Sequence, residues 1–224
     1  MYKLSPSDLT FMWDSCKHCF YLKAKHNIVY RGSFPSIFGK MANLTSSFYQ
    51  GKPTSEISPD LPPGQMKYKE KFVKSSPISI PGLDSRAYIR GRFDAVIEFD
   101  DGSYGVMDYK TSQAKDEHAA FYSRQLSAYA YALENPAPKA LHLSPVSRLG
   151  LFVVTPERFE MSENDETVFV NKTTWIEVQR DDEDFLELVR EILTLLESPT
   201  APESSKGCPS CNYRSSMQEF EALQ

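Results

Sequence analysis

Residues 91–112, GRFDAVIEFDDGSYGVMDYKTS, decide how this chain is read. The outgoing stretch AYIRGRFDAVIEF is strand-like, rich in Ile, Val and Phe, and carries Asp94. DDGS is a tight-turn sequence, and YGVMDYKTS returns as the antiparallel partner, so the whole reads as a β-hairpin. The return strand is apolar until it ends on a carboxylate and an ammonium. Side chains alternate faces along a strand, so Asp108 and Lys110 point the same way and Tyr109 points the other. Two carboxylates on adjacent strands, Asp94 and Asp108, converging at one end of a sheet make an oxygen site for a hard divalent cation. Mg²⁺ takes few protein carboxylates and leaves positions for water and substrate phosphate. A lysine beside such a site can position the attacking water and offset charge on the phosphate. That chemistry is phosphodiester hydrolysis.

The next segment adds to the set. A helix is expected over about Glu117 to Leu133, and RQLSAYAYAL places Gln125 and Tyr129 four residues apart on one of its faces. A D-x-K tripeptide alone is also what a strand-end salt bridge looks like. The ordered series Asp94, turn, Asp108, Lys110, Gln125, Tyr129 is what points to chemistry.

The 224 residues suit one domain, and 41% hydrophobic residues are enough for a real core. No apolar run approaches a membrane span. The start, MYKLSPSDLTF, has neither a charged n-region nor a long apolar stretch, so a cytoplasmic, reducing compartment is expected. Net charge is −5, yet residues 1–74 hold 11 Lys/Arg against 5 Asp/Glu. Lys67, Lys69, Lys71 and Lys74 fall in one strand-like run, MKYKEKFVK. They read either as a lysine-protected edge strand or as a phosphate-contacting surface.

Elsewhere, SPSDLTFMWDSCKHCFYLK is expected to form one amphipathic helix burying Leu9, Met12, Trp13, Cys16, Cys19 and Phe20. A second helix is expected over about Pro35 to Tyr49, with Phe38, Met41, Leu44 and Phe48 inward. RLGLFVVTP is an apolar strand, and TVFVNKTTWIEVQ supplies outer strands. DFLELVREILTLLES is a helix with Leu186, Val189, Leu193 and Leu196 in register. SPTAPESSKG reads as a flexible linker, and CPSCNYR precedes a polar tail. The order of elements is that of an α/β fold on a mixed sheet.

The hairpin and the Q-x-x-x-Y helix (QLSAY) resemble the PD-(D/E)XK nuclease superfamily, in particular its RecB-like exonuclease branch. The AddB nuclease domain and the CRISPR-associated RecB-like exonucleases belong to that branch. The resemblance implies a restriction-endonuclease-like core, a mixed central sheet flanked by helices. It implies Mg²⁺ or Mn²⁺ as cofactor and cleavage of DNA to 5′-phosphate and 3′-hydroxyl ends. By position it makes Asp94, Asp108 and the backbone carbonyl of Tyr109 metal ligands, and Lys110 the catalytic lysine. Gln125 and Tyr129 face the substrate backbone and the lysine strand. The branch often has a histidine ligand in its second helix, where this chain has Asn43. Glu70 is a second-rank acidic candidate whose plainer reading is a charge on an edge strand. The expected organisation is a single nuclease domain, 1–224. It has N-terminal helices in 1–50, a core in 66–197, and a linker and tail in 198–224. The implied roles are repair, recombination or CRISPR adaptation. Single strands or ends are the expected substrate, and a helicase or CRISPR adaptation proteins the expected partners. An RNA nuclease, or a non-catalytic nucleic-acid-binding or scaffold module, are the rival readings.

Four cysteines form two C-x-x-C pairs, Cys16/Cys19 and Cys208/Cys211. In a reducing compartment such pairs read as a metal site, and four thiolates suit tetrahedral Zn²⁺ or an iron–sulfur cluster. Their places near the two ends predict a clasp between the first helix and the tail. The resemblance implies a [4Fe–4S] cluster there, with Zn²⁺ the alternative. The family pattern is one N-terminal and three C-terminal cysteines. Here Cys19 is extra and one C-terminal cysteine is missing.

Overall fold

The predicted hairpin is the centre of the molecule. The computed structural model describes residues 1–29, 35–115 and 117–223. Strands β6 (Ala95–Phe99) and β7 (Tyr104–Thr111) pair antiparallel in the register Val96 to Val106 and Ile97 to Gly105. Gly102 takes the turn at φ 84°, a conformation that strains residues bearing a Cβ. Helix α4 (Glu117–Glu134) carries the chain from β7 to β8 (Val146–Met161), which runs parallel to β7, and β9 (Thr167–Val178) closes that side. With β2 (Gly64–Lys69) on the far side of β6, the sheet order is β2-β6-β7-β8-β9.

β7 is therefore central and covered on both faces, so Val106 to Tyr109 are all buried instead of alternating with exposed residues. Val106 joins the core formed with α4, α1 (Pro6–Ser15) and α5 (Asp182–Glu197). Met107 and Tyr109 join the opposite core, with Phe152, Ile57, Leu61 and Tyr49. The period of two thus puts Asp108 on the α1/α4 side. Helix α5 buries Phe185, Leu188, Val189, Ile192, Leu193 and Leu196 at helical spacing, while Leu186, expected inside, is exposed.

A second, smaller sheet is built on β5 (Arg86–Arg92), which pairs with β1 (Tyr2–Leu4), β3 (Phe72–Lys74) and β4 (Ile78–Ser79). Neither MKYKEKFVK nor AYIRGRFDAVIEF is one strand. Each steps from one sheet to the other, and they do so side by side. β2 pairs with β6 up to Lys69 and Ala95, and β3 pairs with β5 from Phe72 and Arg92. Between them the corners are tied by Glu70 N–H to Asp94 C=O (2.9 Å) and Phe93 N–H to Lys71 C=O (3.2 Å). Glu70 turns this corner in the left-handed region, φ 48°, uncommon for a residue with a side chain.

The corner also breaks up the basic run. Lys67 is ion-paired with Glu98 (2.5 Å), Lys69 bonds Ser47, and Lys74 lies beyond the corner over the Tyr88 ring. These lysines do not form one continuous stripe.

The expected first helix is two helices, α1 and α2 (Lys17–His26), broken at Cys16, which is extended (φ −162°, ψ 103°). Helix α3 (Ser36–Tyr49) matches its expected span, but Phe38, Leu44 and Phe48 are exposed and Ser46 is its buried residue. The helix lies along the end of β7, so its apolar side is only partly covered. The segment after α5 has no regular structure, but it is anchored. Ser198 C=O accepts from Tyr21 Oη–H (2.9 Å) and Lys25 Nζ (2.6 Å), and Pro202 C=O accepts from His18 Nδ1 (2.7 Å). The polar tail, to which the sequence assigned no element, is helix α6 (Pro209–Glu221). Among the described residues no helix is long and apolar enough to cross a membrane.

Candidate active site and thiol cluster

Asp108 is 3% exposed, and its two carboxylate oxygens have different partners. Gln125 Nε2 donates to Oδ1 at 2.7 Å, and the Lys110 ammonium lies against Oδ2 in a short ion pair. The strand period brings Lys110 there, and α4, packed across β7, brings Gln125. Tyr129, one helical turn on, does not face solvent. Its hydroxyl donates to Arg92 C=O (2.8 Å), and its ring lies so close to Gly91 that a Cβ at 91 would stand 3.2 Å from it and 2.7 Å from Pro6. Gln125 thus holds Asp108, and Tyr129 holds the end of β5, two residues before Asp94.

Asp94, expected within a strand, sits instead in the corner between β5 and β6. There it has no ladder partner and its carboxylate is free to turn toward β7, where Tyr109 N–H donates to Oδ2 (2.9 Å). Its carboxyl is pushed from 3.8 up to about 7, first by burial and then by the charge of Asp108. Glu70 adds to the push, while the Tyr109 N–H and Lys110 oppose it. Glu70 is thereby brought to the site's edge, where it also lies 3.6 Å from Arg92. Two carboxylates that repel in a poorly solvated corner suit a hard divalent cation, which would favour the charged form of both. Asn43 is exposed on α3 beside Ala42, which lines the adjoining groove.

That groove, about 390 Å³, runs from Lys110 along Phe11, Phe38, Gly39, Ala42, Tyr109, Thr111 and Tyr122. Lys110 Nζ stands 4.1 Å over the Tyr122 ring. This wall was not foreseen from the sequence, although Tyr122 precedes Gln125 by one turn of the same helix.

The four cysteines do meet. Their sulfurs all lie within 4.8 Å of one another, with Cys16–Cys211 at 3.7 Å, Cys19–Cys208 at 3.6 Å and Cys19–Cys211 at 3.5 Å. The break at Cys16 begins α2, and Cys208 caps α6. Arg214, one turn beyond Cys211 and not singled out in the sequence, donates from Nη2 to Cys19 Sγ (3.2 Å) and Cys211 Sγ (3.3 Å). Burial raises the Cys16 thiol, but backbone hydrogen bonds with Ser205 and Cys19 outweigh it and bring it down to about 6. Burial and the neighbouring thiols push Cys211 up to about 12. So crowded a set of thiols can all ionise only around a cation, and the four together could hold a metal ion.

Known proteins agree with this architecture. Among solved structures, the crystal structure of SSO0001 aligns over 88% of this chain and 78% of its own, with a TM-score of 0.51 at 18% identity, a likeness of fold. No curated protein matches the chain. A family model does match, over residues 54–216, a span that holds Glu70, Asp94, Asp108, Lys110, Gln125, Tyr129, Cys208 and Cys211. The chain belongs to the PD-(D/E)XK nuclease superfamily.

Proposed function

We propose that this chain is a divalent-cation-dependent DNA nuclease of the RecB-like type, acting on single strands or strand ends. One observation carries the reading: Asp108 is clamped between Gln125 and Lys110, and Asp94 is held toward the same strand by the Tyr109 N–H. Asp94 and Asp108, with the Tyr109 carbonyl, are the residues that would hold Mg²⁺ or Mn²⁺. The cation supplies positive charge to the phosphate oxygens and acidity to water. Lys110 orients the attacking water and offsets the charge that builds on the phosphate. The water oxygen bonds to phosphorus, the P–O3′ bond breaks, and a proton ends on the departing 3′ oxygen. Gln125 and Tyr129 are positioning residues, acting through Asp108 and through the strand that leads to Asp94. The core at 66–197 performs the reaction. The wider setting of this reading is a cytoplasmic role in repair, recombination or CRISPR adaptation, with a helicase as the partner that supplies unwound strands. End-labelled DNA is expected to be shortened with Mg²⁺ or Mn²⁺ and to stay intact with EDTA. DNA left intact in both metals would overturn the proposal.

The sulfur spacing supports a single zinc ion in the clasp over the [4Fe–4S] cluster. Thiolates about 2.3 Å from a tetrahedral Zn²⁺ lie about 3.8 Å apart; three sulfur pairs here are 3.5–3.7 Å apart and all lie within 4.8 Å. A four-iron cube is itself wider than one ion and spreads its thiolates further. With all four positions filled by sulfur, the ion is structural and takes no part in hydrolysis. The purified protein is expected to be colourless with one zinc per chain, and Cys211→Ser to lose the zinc and melt at lower temperature. Brown protein containing iron would restore the cluster.

A further inference from the structure

We propose that the groove beside Lys110 is a stacking site for an unpaired nucleobase, with Phe11 of α1 and Tyr122 of α4 in its wall and Phe121 packed against both. Phe11, Phe121 and Tyr122 form a mutual edge-to-face cluster, with centroids 5.5 Å (Phe11–Phe121), 5.8 Å (Phe11–Tyr122) and 4.9 Å (Phe121–Tyr122) apart. The three come from two helices and meet at the surface. Phe11 is 45% and Phe121 42% exposed, and Phe38, across the groove on α3, is 40% exposed. Exposed aromatic rings clustered in this way need a reason, since each leaves apolar surface in water.

The position of the cluster names its occupant. The groove is continuous with Lys110, whose ammonium stands over Tyr122 and within 5.8 Å of the Phe11 ring centroid. A phosphodiester at Asp94, Asp108 and Lys110 therefore presents its neighbouring base to these rings. The groove wall is largely aromatic and aliphatic and cannot favour a second phosphate. Base faces are hidden inside a duplex, whereas every unpaired base offers one for stacking, whatever its sequence. The site thus selects single strands or frayed ends, of DNA or of RNA. This deepens the nuclease reading, on which it rests for the path of the strand.

Binding to the wild-type chain in EDTA, where no cleavage is expected, tests it. The probes are fluorescein-labelled oligothymidylate, oligouridylate, an abasic strand of equal length and a blunt duplex. The base-bearing strands are expected to bind more tightly than the abasic strand and the duplex, and their ratio tells DNA from RNA. The double variant Phe11→Ala/Phe121→Ala is expected to weaken base-bearing strands by about ten- to a hundredfold, the scale of a lost base–aromatic stack, and to leave the abasic strand unchanged. Phe11→Trp/Phe121→Trp is expected to restore affinity. Equal affinity for abasic and base-bearing strands, or equal weakening of both by the double variant, would overturn the proposal. Cleavage is read separately with Mg²⁺. Base-selective binding without cutting defeats only the nuclease reading, and cutting without base selectivity defeats only this one.

Discussion

Asp108→Asn is expected to fold and bind strands but to cleave them at least about 10²–10³-fold more slowly, the scale on which one preorganised charge acts in a transition state. Asparagine keeps the shape of the side chain and can still accept from Gln125 Nε2, so the 2.7 Å bond to α4 need not be lost. The negative charge goes, and with it half of the carboxylate pair and the partner of Lys110. Lys110→Ala should lose about 10²–10⁴-fold in rate with little change in strand affinity measured without metal. Lys110 touches Asp108 and Tyr122 and lies at the head of the groove, so a loss confined to binding would make it a phosphate contact and nothing more. Single-turnover cleavage and fluorescence anisotropy on the same preparations separate these outcomes. Wild-type rates in Asp108→Asn would remove the carboxylate pair from the chemistry.

Asp94→Asn is expected to raise the melting temperature of the metal-free protein near neutral and alkaline pH while abolishing its response to Mg²⁺. The sign follows from the direction of the shift. The folded protein holds the Asp94 proton up to about pH 7, whereas the ordinary carboxyl releases it near 3.8. Between those values the folded state binds more protons than the unfolded chain, so this group's contribution to stability falls as pH rises. It is fully present below about 3.8, is lost through about 7, and is flat above. Asparagine carries no charge to bury beside Asp108, so the variant should lack that slope. Mg²⁺ must displace the proton to bind, so its stabilisation of the wild type should grow as pH rises toward 7 and then level off. Melting curves in EDTA and in Mg²⁺, from about pH 5 to about pH 8, give all four comparisons. Parallel curves for variant and wild type in EDTA would show that burial and the charge of Asp108 do not raise the Asp94 carboxyl. An undiminished Mg²⁺ shift in the variant would remove it from the metal site.

Glu70 and Asp94 show where the reading of the sequence ends. Patterns of period two or 3.6 are local, and they were enough for several features. These include the β6–β7 hairpin with its DDGS turn, the common face of Asp108 and Lys110, and Gln125 and Tyr129 one turn apart on α4. The same patterns made Asp94 a mid-strand residue and MKYKEKFVK one basic strand. Nothing within either stretch encodes the step between sheets. That step is set where the two cross, by Glu70 N–H on Asp94 C=O and Lys71 C=O on Phe93 N–H. Partners more than twenty residues apart in the chain decide it. The outward Phe38, Leu44 and Phe48 of α3 follow from where that helix lies against β7, not from its own periodicity. By itself the sequence determined the central strand pair, the chemical types at the site and the two thiol pairs, because each is a short-range pattern. Tertiary structure alone decided the corner that raises Asp94, the sulfur spacing with Arg214, and the aromatic wall. Burial, charge repulsion and ring contacts depend on distances between segments that only the packed fold brings together.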